Sequence, residues 1–263
     1  MQRQTSLSPA EMLDALAWQV ELGADEAIGE APVDRFDLAE PPTARARPRG
    51  PAPSAVAPTP VPQEATGTAA LAAACTDLAS LRAAMAGFEG CALRLGARNL
   101  VFADGNPAAR LMVIGEAPGR DEDIAGLPFV GRSGQLLDRM LAAIGLSRRA
   151  DDPASAVYIT NTLPWRPPQN REPAADEVAM LLPFLHRHIE LKAPEVLLLV
   201  GAASVRTLMQ TGEGITRTRG RWMDCRGIPT IATFHPAALL RDGLKKREVW
   251  SDLLSLKVRL DGR

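Results

Sequence analysis

Cysteine is scarce in this 263-residue chain, and the three present, Cys75, Cys91 and Cys225, stand far apart with no regular spacing. An odd, unpatterned set excludes a disulfide framework and fits a reducing compartment. Long apolar runs are also missing: the longest centres on Val196–Val200, far short of a membrane span. The N-terminus lacks the basic start and unbroken apolar stretch of a signal peptide. Net charge is nearly absent too, at −1, so bulk charge does not announce a polyanionic partner. These absences lead us to expect a soluble, cytoplasmic protein.

What is present is an ordinary core-forming composition, 46% hydrophobic, enough for one good-sized domain with an appendage. Charge is unevenly placed. Residues 1–40 hold nine acidic side chains against Arg3 and Arg35, a net of −7, which leaves +6 for the rest of the chain. Ser8 and Pro9 begin a helical pattern over residues 8–28, with Met12, Leu13, Leu16 and Val20 at helical spacing. We therefore read residues 1–30 as an N-terminal helix, a candidate site for a protein partner. Residues 31–68 are rich in proline and alanine and read as a disordered linker. The folded body then spans 69–263, read as a monomer.

Within the body, a helical stretch over Leu71–Ala86 precedes four short apolar runs: Leu111–Ile114, Val157–Thr160, Val196–Val200 and Thr230–Thr233. Helical patterns lie between or after them at Ser133–Ile144, Ala174–Leu191, Ala202–Met209 and Lys245–Leu260. Short apolar strands alternating with helices imply crossover units and a parallel sheet covered on both faces. The expectation is an α/β fold: a three-layer α/β/α sandwich around a four-stranded parallel sheet. In such folds ligands lie beyond the carboxyl ends of the strands.

Three strand ends carry chemistry. The first run leads into Gly115-Glu116-Ala117-Pro118-Gly119, followed by Arg120, Asp121, Glu122 and Asp123; the second ends in Thr160-Asn161-Thr162; the fourth ends in Phe234-His235-Pro236. Singly these read as a turn, a cap and a loop histidine. Together they bring carboxylates, an amide and an imidazole to one sheet edge. At this point a resemblance becomes specific. The blocks GEAPGRDEDIAGLPFVGRSGQLLDRML (115–141), YITNTLPWRPPQNREP (158–173) and TFHPAALLR (233–241) resemble, in order and separation, the signature blocks of the family 4 uracil-DNA glycosylases. With the lead-in NLVFADGNPAARLMVIGE (99–116), the resemblance covers roughly residues 88–260.

The resemblance implies an enzyme that flips uracil out of DNA and hydrolyses its N-glycosidic bond, leaving an abasic site. It implies that Gly115, Ala117, Pro118 and Gly119 form the pocket loop and that Phe129 stacks on the base. Asn161 would accept from uracil N3–H and donate to O4, and His235 would donate to O2 as charge develops there. Glu116 would position the attacking water or steady the cationic sugar. Ala117 stands where better-known uracil glycosylases carry an aspartate, so catalysis would rest on dissociation and anion stabilisation. Glu122 is a second candidate for that role, or instead a guard on the C5 side against the thymine methyl, while Asp121 and Asp123 would solvate the loop. Leu239, Leu240 or Arg241 would wedge into the vacated stack, although the same leucines also fit a core-facing helix start. Arg166, Asn170 and Arg171, with Lys245, Lys246 and Arg247, are candidates for phosphate contact.

The chain also departs from that family, whose members usually hold a four-iron four-sulfur cluster on four cysteines. Of the four matched positions only Cys91 is a cysteine; Phe88, Leu181 and Leu197 stand at the others. A cluster needs four thiolates, and neither Cys75 nor Cys225 matches a ligand position, so we expect no cluster, no metal and no other cofactor. Two rival readings stay open: a non-catalytic DNA- or nucleotide-binding relative, and a glycosylase for another deaminated base such as hypoxanthine.

Overall fold

The computed structural model describes residues 63–262; the expected N-terminal helix and most of the linker lie outside the described residues. Helices α1 (Gln63–Ala74), α2 (Leu78–Gly87) and α3 (Leu93–Gly96) come first. The single helical stretch expected over 71–86 is thus two helices, the first of which begins inside the expected linker. The break falls at Asp77, which starts α2 with a reciprocal cap: Ser80 N–H donates to its carboxylate and Asp77 N–H donates to Ser80 Oγ.

There follow β1 (Asp104–Gly105), β2 (Leu111–Gly115), α4 (Arg120–Ala125), α5 (Arg132–Ala142) and β3 (Val157–Asn161). The second half runs α6 (Ala175–Lys192), β4 (Val196–Val200), α7 (Ala202–Met209), α8 (Ile215–Thr218), β5 (Trp222–Cys225), β6 (Ile228–Thr233), α9 (Pro236–Arg241) and α10 (Lys246–Leu260). The fold is α/β, but the sheet is six-stranded and mixed, in the order β1-β3-β2-β4-β6-β5. β3, β2, β4 and β6 pair in parallel, while β1 and β5 pair antiparallel at the two edges. Sequence patterning missed β1 because two residues carry no period, and it gave no strand for β5, whose four residues alternate only weakly.

The parallel strands are mostly apolar because both their faces are covered. On one face Leu111, Val113, Ile159 and Leu198 meet Leu137 and Leu141 of α5 and Leu253 and Leu256 of α10. On the other, Met112, Ile114, Leu197 and Leu199 meet Leu185 and Ile189 of α6 and Val205 of α7. A third core, at the flank, gathers α1, α2 and α3 against Leu181 and Phe184 of α6. Among the described residues no helix is long and apolar enough to cross a membrane.

Candidate active site

β2, β3 and β6 run parallel, so their carboxyl ends open on the same edge of the sheet. A cleft of about 530 Å³ lies there, lined by Glu116–Glu122, Phe129, Asn161 and His235 among others. The expected pocket residues are therefore brought together, with Gly115 as the floor between them. A Cβ on Gly115 would lie 2.5 Å from Asn161 Oδ1 and 2.5 Å from Phe129 Cζ, so only glycine lets the amide and the ring approach this strand end.

Asn161 is 6% exposed, and no protein group among the described residues bonds its side-chain amide. Phe129 is buried, with its ring 5.6 Å from that of His235. Its backbone is left-handed, at φ 54°, a conformation that costs a non-glycine residue about 1–2 kcal/mol. Two residues hold it there that sequence reasoning missed. Gly134 in α5 passes so close that a Cβ would sit 1.8 Å from the Phe129 carbonyl oxygen. Arg148, with a side chain only 8% exposed, donates to the carbonyls of Pro128 and Phe129 at 2.8 and 2.9 Å and pairs with Asp104 and Asp138. Nothing in the local sequence ties Arg148 to a loop nineteen residues earlier.

His235 begins α9, and its Nδ1 accepts from Ala237 N–H at 3.1 Å. Burial, then the nearby Arg241, lowers the imidazole pKa to about 4, against the opposing pull of Glu122. The ring is therefore neutral near pH 7. With Nδ1 occupied as an acceptor, the proton sits on Nε2. Behind it, Thr233 donates to buried Asp252 at 2.7 Å, and Arg219 donates to the same carboxylate, anchoring the end of β6.

The carboxylates divide differently from expectation. Glu116 is half-buried and reaches the cleft. Burial raises its pKa, Glu172 adds to the rise, and Arg206 opposes it. Glu122 also lines the cleft, but its oxygens accept from Gly119, Val130 and Gly131 N–H at 3.1, 3.0 and 2.9 Å. It ties two loops together instead of standing free as a guard. Asp123 does not solvate the loop; it is 4% exposed and accepts from Arg98 and Asn99 N–H.

Among the candidates for DNA contact, Leu239 is in the core at 3% exposed, whereas Leu240 is 44% exposed and Arg241 lines the cleft. A helix register decides this, since adjacent residues on a helix face different ways. Asn170 and Arg171 line the cleft, but the Arg171 guanidinium is engaged by both oxygens of Glu177 at 2.9 and 2.5 Å. Arg166 donates to Asn170. Lys245 pairs with Asp242, while Lys246 and Arg247 are exposed at the start of α10.

The four positions matched to cluster ligands fall in two packing groups. Phe88, Cys91 and Leu181 share the flank core, but Leu197 lies in β4 beneath α6 and α7. Trp165, unremarked in the sequence, shares the Cys91 core at 2% exposed, as does Cys75 at 5%. Cys225 packs in a different core. Two thiols among phenylalanines, leucine and tryptophan do not fit a group that needs four thiolates, and burial raises the Cys91 thiol pKa besides. No set of three or more His, Cys, Asp or Glu that could hold a metal ion occurs among the described residues.

Comparison with known proteins agrees with this geometry. Residues 102–254 match the model of the Uracil DNA glycosylase superfamily. A type-4 uracil-DNA glycosylase of Archaeoglobus fulgidus is 39% identical over 170 residues, covering 62% of this chain and 82% of that protein. Those of Thermotoga maritima and Pyrobaculum aerophilum are 40% and 35% identical, over 58% and 67% of this chain and 77% and 91% of their own lengths. The match spans the strand-end loops, the Phe129 segment and the His235 turn, and on it the chain belongs to the uracil DNA glycosylase superfamily, alongside the type-4 enzymes.

Proposed function

We propose that the chain is a monofunctional uracil-DNA glycosylase that flips uracil from DNA and hydrolyses the N-glycosidic bond. The observation that carries this reading is the Asn161 side-chain amide, unpartnered among the described residues and open to the same cleft as a neutral His235 whose Nε2–H is free to donate. Asn161 presents one acceptor and one donor, the complement of uracil N3–H and O4. Cytosine reverses that pattern and would leave buried groups unpaired, a mismatch that discriminates by about four orders of magnitude.

Phe129 provides the shelf on which the base lies. As the bond between N1 and C1′ breaks, the electron pair stays on the base and negative charge gathers at O2. His235 meets it with a hydrogen bond that strengthens as charge grows, the kind of donor whose loss typically costs about a hundredfold or more. Water then forms the new bond to C1′, and the proton it loses passes through solvent to the uracil anion, leaving an abasic sugar and neutral uracil. Glu116 orients that water. Ala117 supplies no carboxylate beside it, so we assign Glu116 the positioning of the water alone. Leu240 is the remaining candidate for the wedge.

The chain works without an iron–sulfur cluster, its place filled by the Phe88, Trp165 and Leu181 packing around Cys91. The absence of a membrane-spanning helix among the described residues suits a cytoplasmic enzyme acting on uracil-containing DNA. One assay tests the whole reading. The protein is incubated with oligonucleotides bearing uracil, hypoxanthine or mismatched thymine, and abasic sites are then cleaved by alkali. Strand breaks on the uracil substrate are expected. Breaks only on hypoxanthine would reassign the base, and none on any substrate would leave a binding protein.

A further inference from the structure

A chain of net charge −1 gains little from its overall field when it meets DNA, so affinity must come from local cations. The cleft itself is lined by three carboxylates, Glu116, Asp121 and Glu122, which repel a phosphate backbone. We propose that Arg120, Arg132 and Arg241 form an anion-gripping rim that holds the phosphodiesters flanking the extruded nucleotide. This rests on the reading of the cleft as a site for a base in DNA.

All three line the cleft and all three are exposed. They come from three separate elements around its mouth: Arg120 opens α4, Arg132 opens α5, and Arg241 closes α9. Among the described residues, none of the three lies within ion-pair distance of a carboxylate, whereas Arg171, the other arginine at the cleft, is held by Glu177. Arg148, Arg206 and Arg219 are likewise paired. An arginine already bound to a carboxylate has little charge to offer a phosphate. An unpaired one keeps its planar donor fork available for bidentate contact. Beside Arg132, the first turn of α5 carries no acidic residue, so its positive end adds to the same field. Only Arg241 was picked out beforehand, by the family resemblance and as a candidate wedge; Arg120 and Arg132 become visible once the loops are folded round the cleft.

The test is the salt dependence of binding to a duplex carrying a stable abasic-site analogue, measured by fluorescence anisotropy with the full chain. Removing a single arginine–phosphate pairing should reduce the slope of log Kd against log salt by about 0.9. Arg120→Ala and Arg132→Ala are each expected to lower the slope by about that amount, and the double variant by about twice it. Arg82→Ala, an exposed arginine on α2, should leave it unchanged. Inhibition by free uracil, which has no phosphate, should be the same in every variant. Unaltered slopes in the Arg120 and Arg132 variants, or an equal fall in the Arg82 variant, would overturn the rim. Failure of the unmodified chain to excise uracil would instead overturn the reading beneath it.

Discussion

Replacing Arg148 with methionine keeps most of the side chain's bulk and removes every donor. The guanidinium gives two charged hydrogen bonds to the carbonyls of Pro128 and Phe129, each worth about 1.5–3 kcal/mol. Its two carboxylate partners, Asp104 and Asp138, are 28% and 46% exposed, so those pairs add at most about 1 kcal/mol each after solvent screening. The left-handed Phe129 backbone, which costs about 1–2 kcal/mol, is then held only by the contact with Gly134 and the Glu122 bonds to Val130 and Gly131. The sum is a loss of about 3–8 kcal/mol, much of it concentrated on one loop. If about 2–3 kcal/mol appears as displacement of the Phe129 shelf, kcat/KM should fall about thirty- to a hundredfold, since 1.4 kcal/mol is a factor of ten. Single-turnover excision of uracil from an oligonucleotide reads this, at a temperature where circular dichroism shows the variant folded. Arg148→Lys, which restores one point charge without the fork, should fall between the two. A folded Arg148→Met protein with unchanged kcat/KM would refute the idea that this guanidinium sets the shelf.

Other outcomes follow from the same geometry. Asn161→Ala and His235→Ala should each reduce kcat by about a hundredfold or more while abasic-analogue binding persists; activity unchanged in both would remove them from the chemistry. Alanine usually stabilises a helix relative to glycine by about 1 kcal/mol, but Gly134→Ala should lower both Tm and excision, because the new methyl strikes the Phe129 carbonyl; a rise in Tm would contradict that contact. His235 and His188 are held near 4 and 3 against an ordinary 6.5, so below pH 6.5 the unfolded chain binds protons that the folded chain refuses. Stability should therefore fall as pH drops from 6.5 towards 4, and excision should stay level until well below 6.5. An acid limb centred at 6.5 would mean that His235 titrates as a solvated imidazole. Dialysis against a strong iron chelator should leave excision and Tm unchanged, and an iron–sulfur absorbance band in fresh protein would refute the refilled core.

The parallel core of the sheet was legible because strands buried on both faces are written as unbroken apolar runs, and Val196–Val200 was located to the residue. The edges were not, since β1 is two residues long and its pairing depends on β3. Asn161 and His235 could be found because strand ends are a fixed address in such folds. Arg148 and Asp252 could not, because each acts across nineteen residues of chain, nor could Gly134, because its role lies in a backbone approach that only the folded loop creates. The burial of Leu239 beside an exposed Leu240 turned on helix phase, which the short α9 segment leaves undetermined in sequence. Leu197 falls outside the flank core for a similar reason: position along the chain gives an order of residues, whereas Trp165 reaches the Cys91 core through space.

Glu122 joins the loop after β2 to the segment carrying Phe129, and Arg148 pins that segment from the other side. Walls fastened to each other in this way cannot fold down around a base. The deformation should then fall on the nucleic acid, which must bring the extruded base to a receptacle already formed. The working tempo should follow the cost of extruding each uracil, ranking substrates from unpaired, through mismatched, to well-stacked duplex sites.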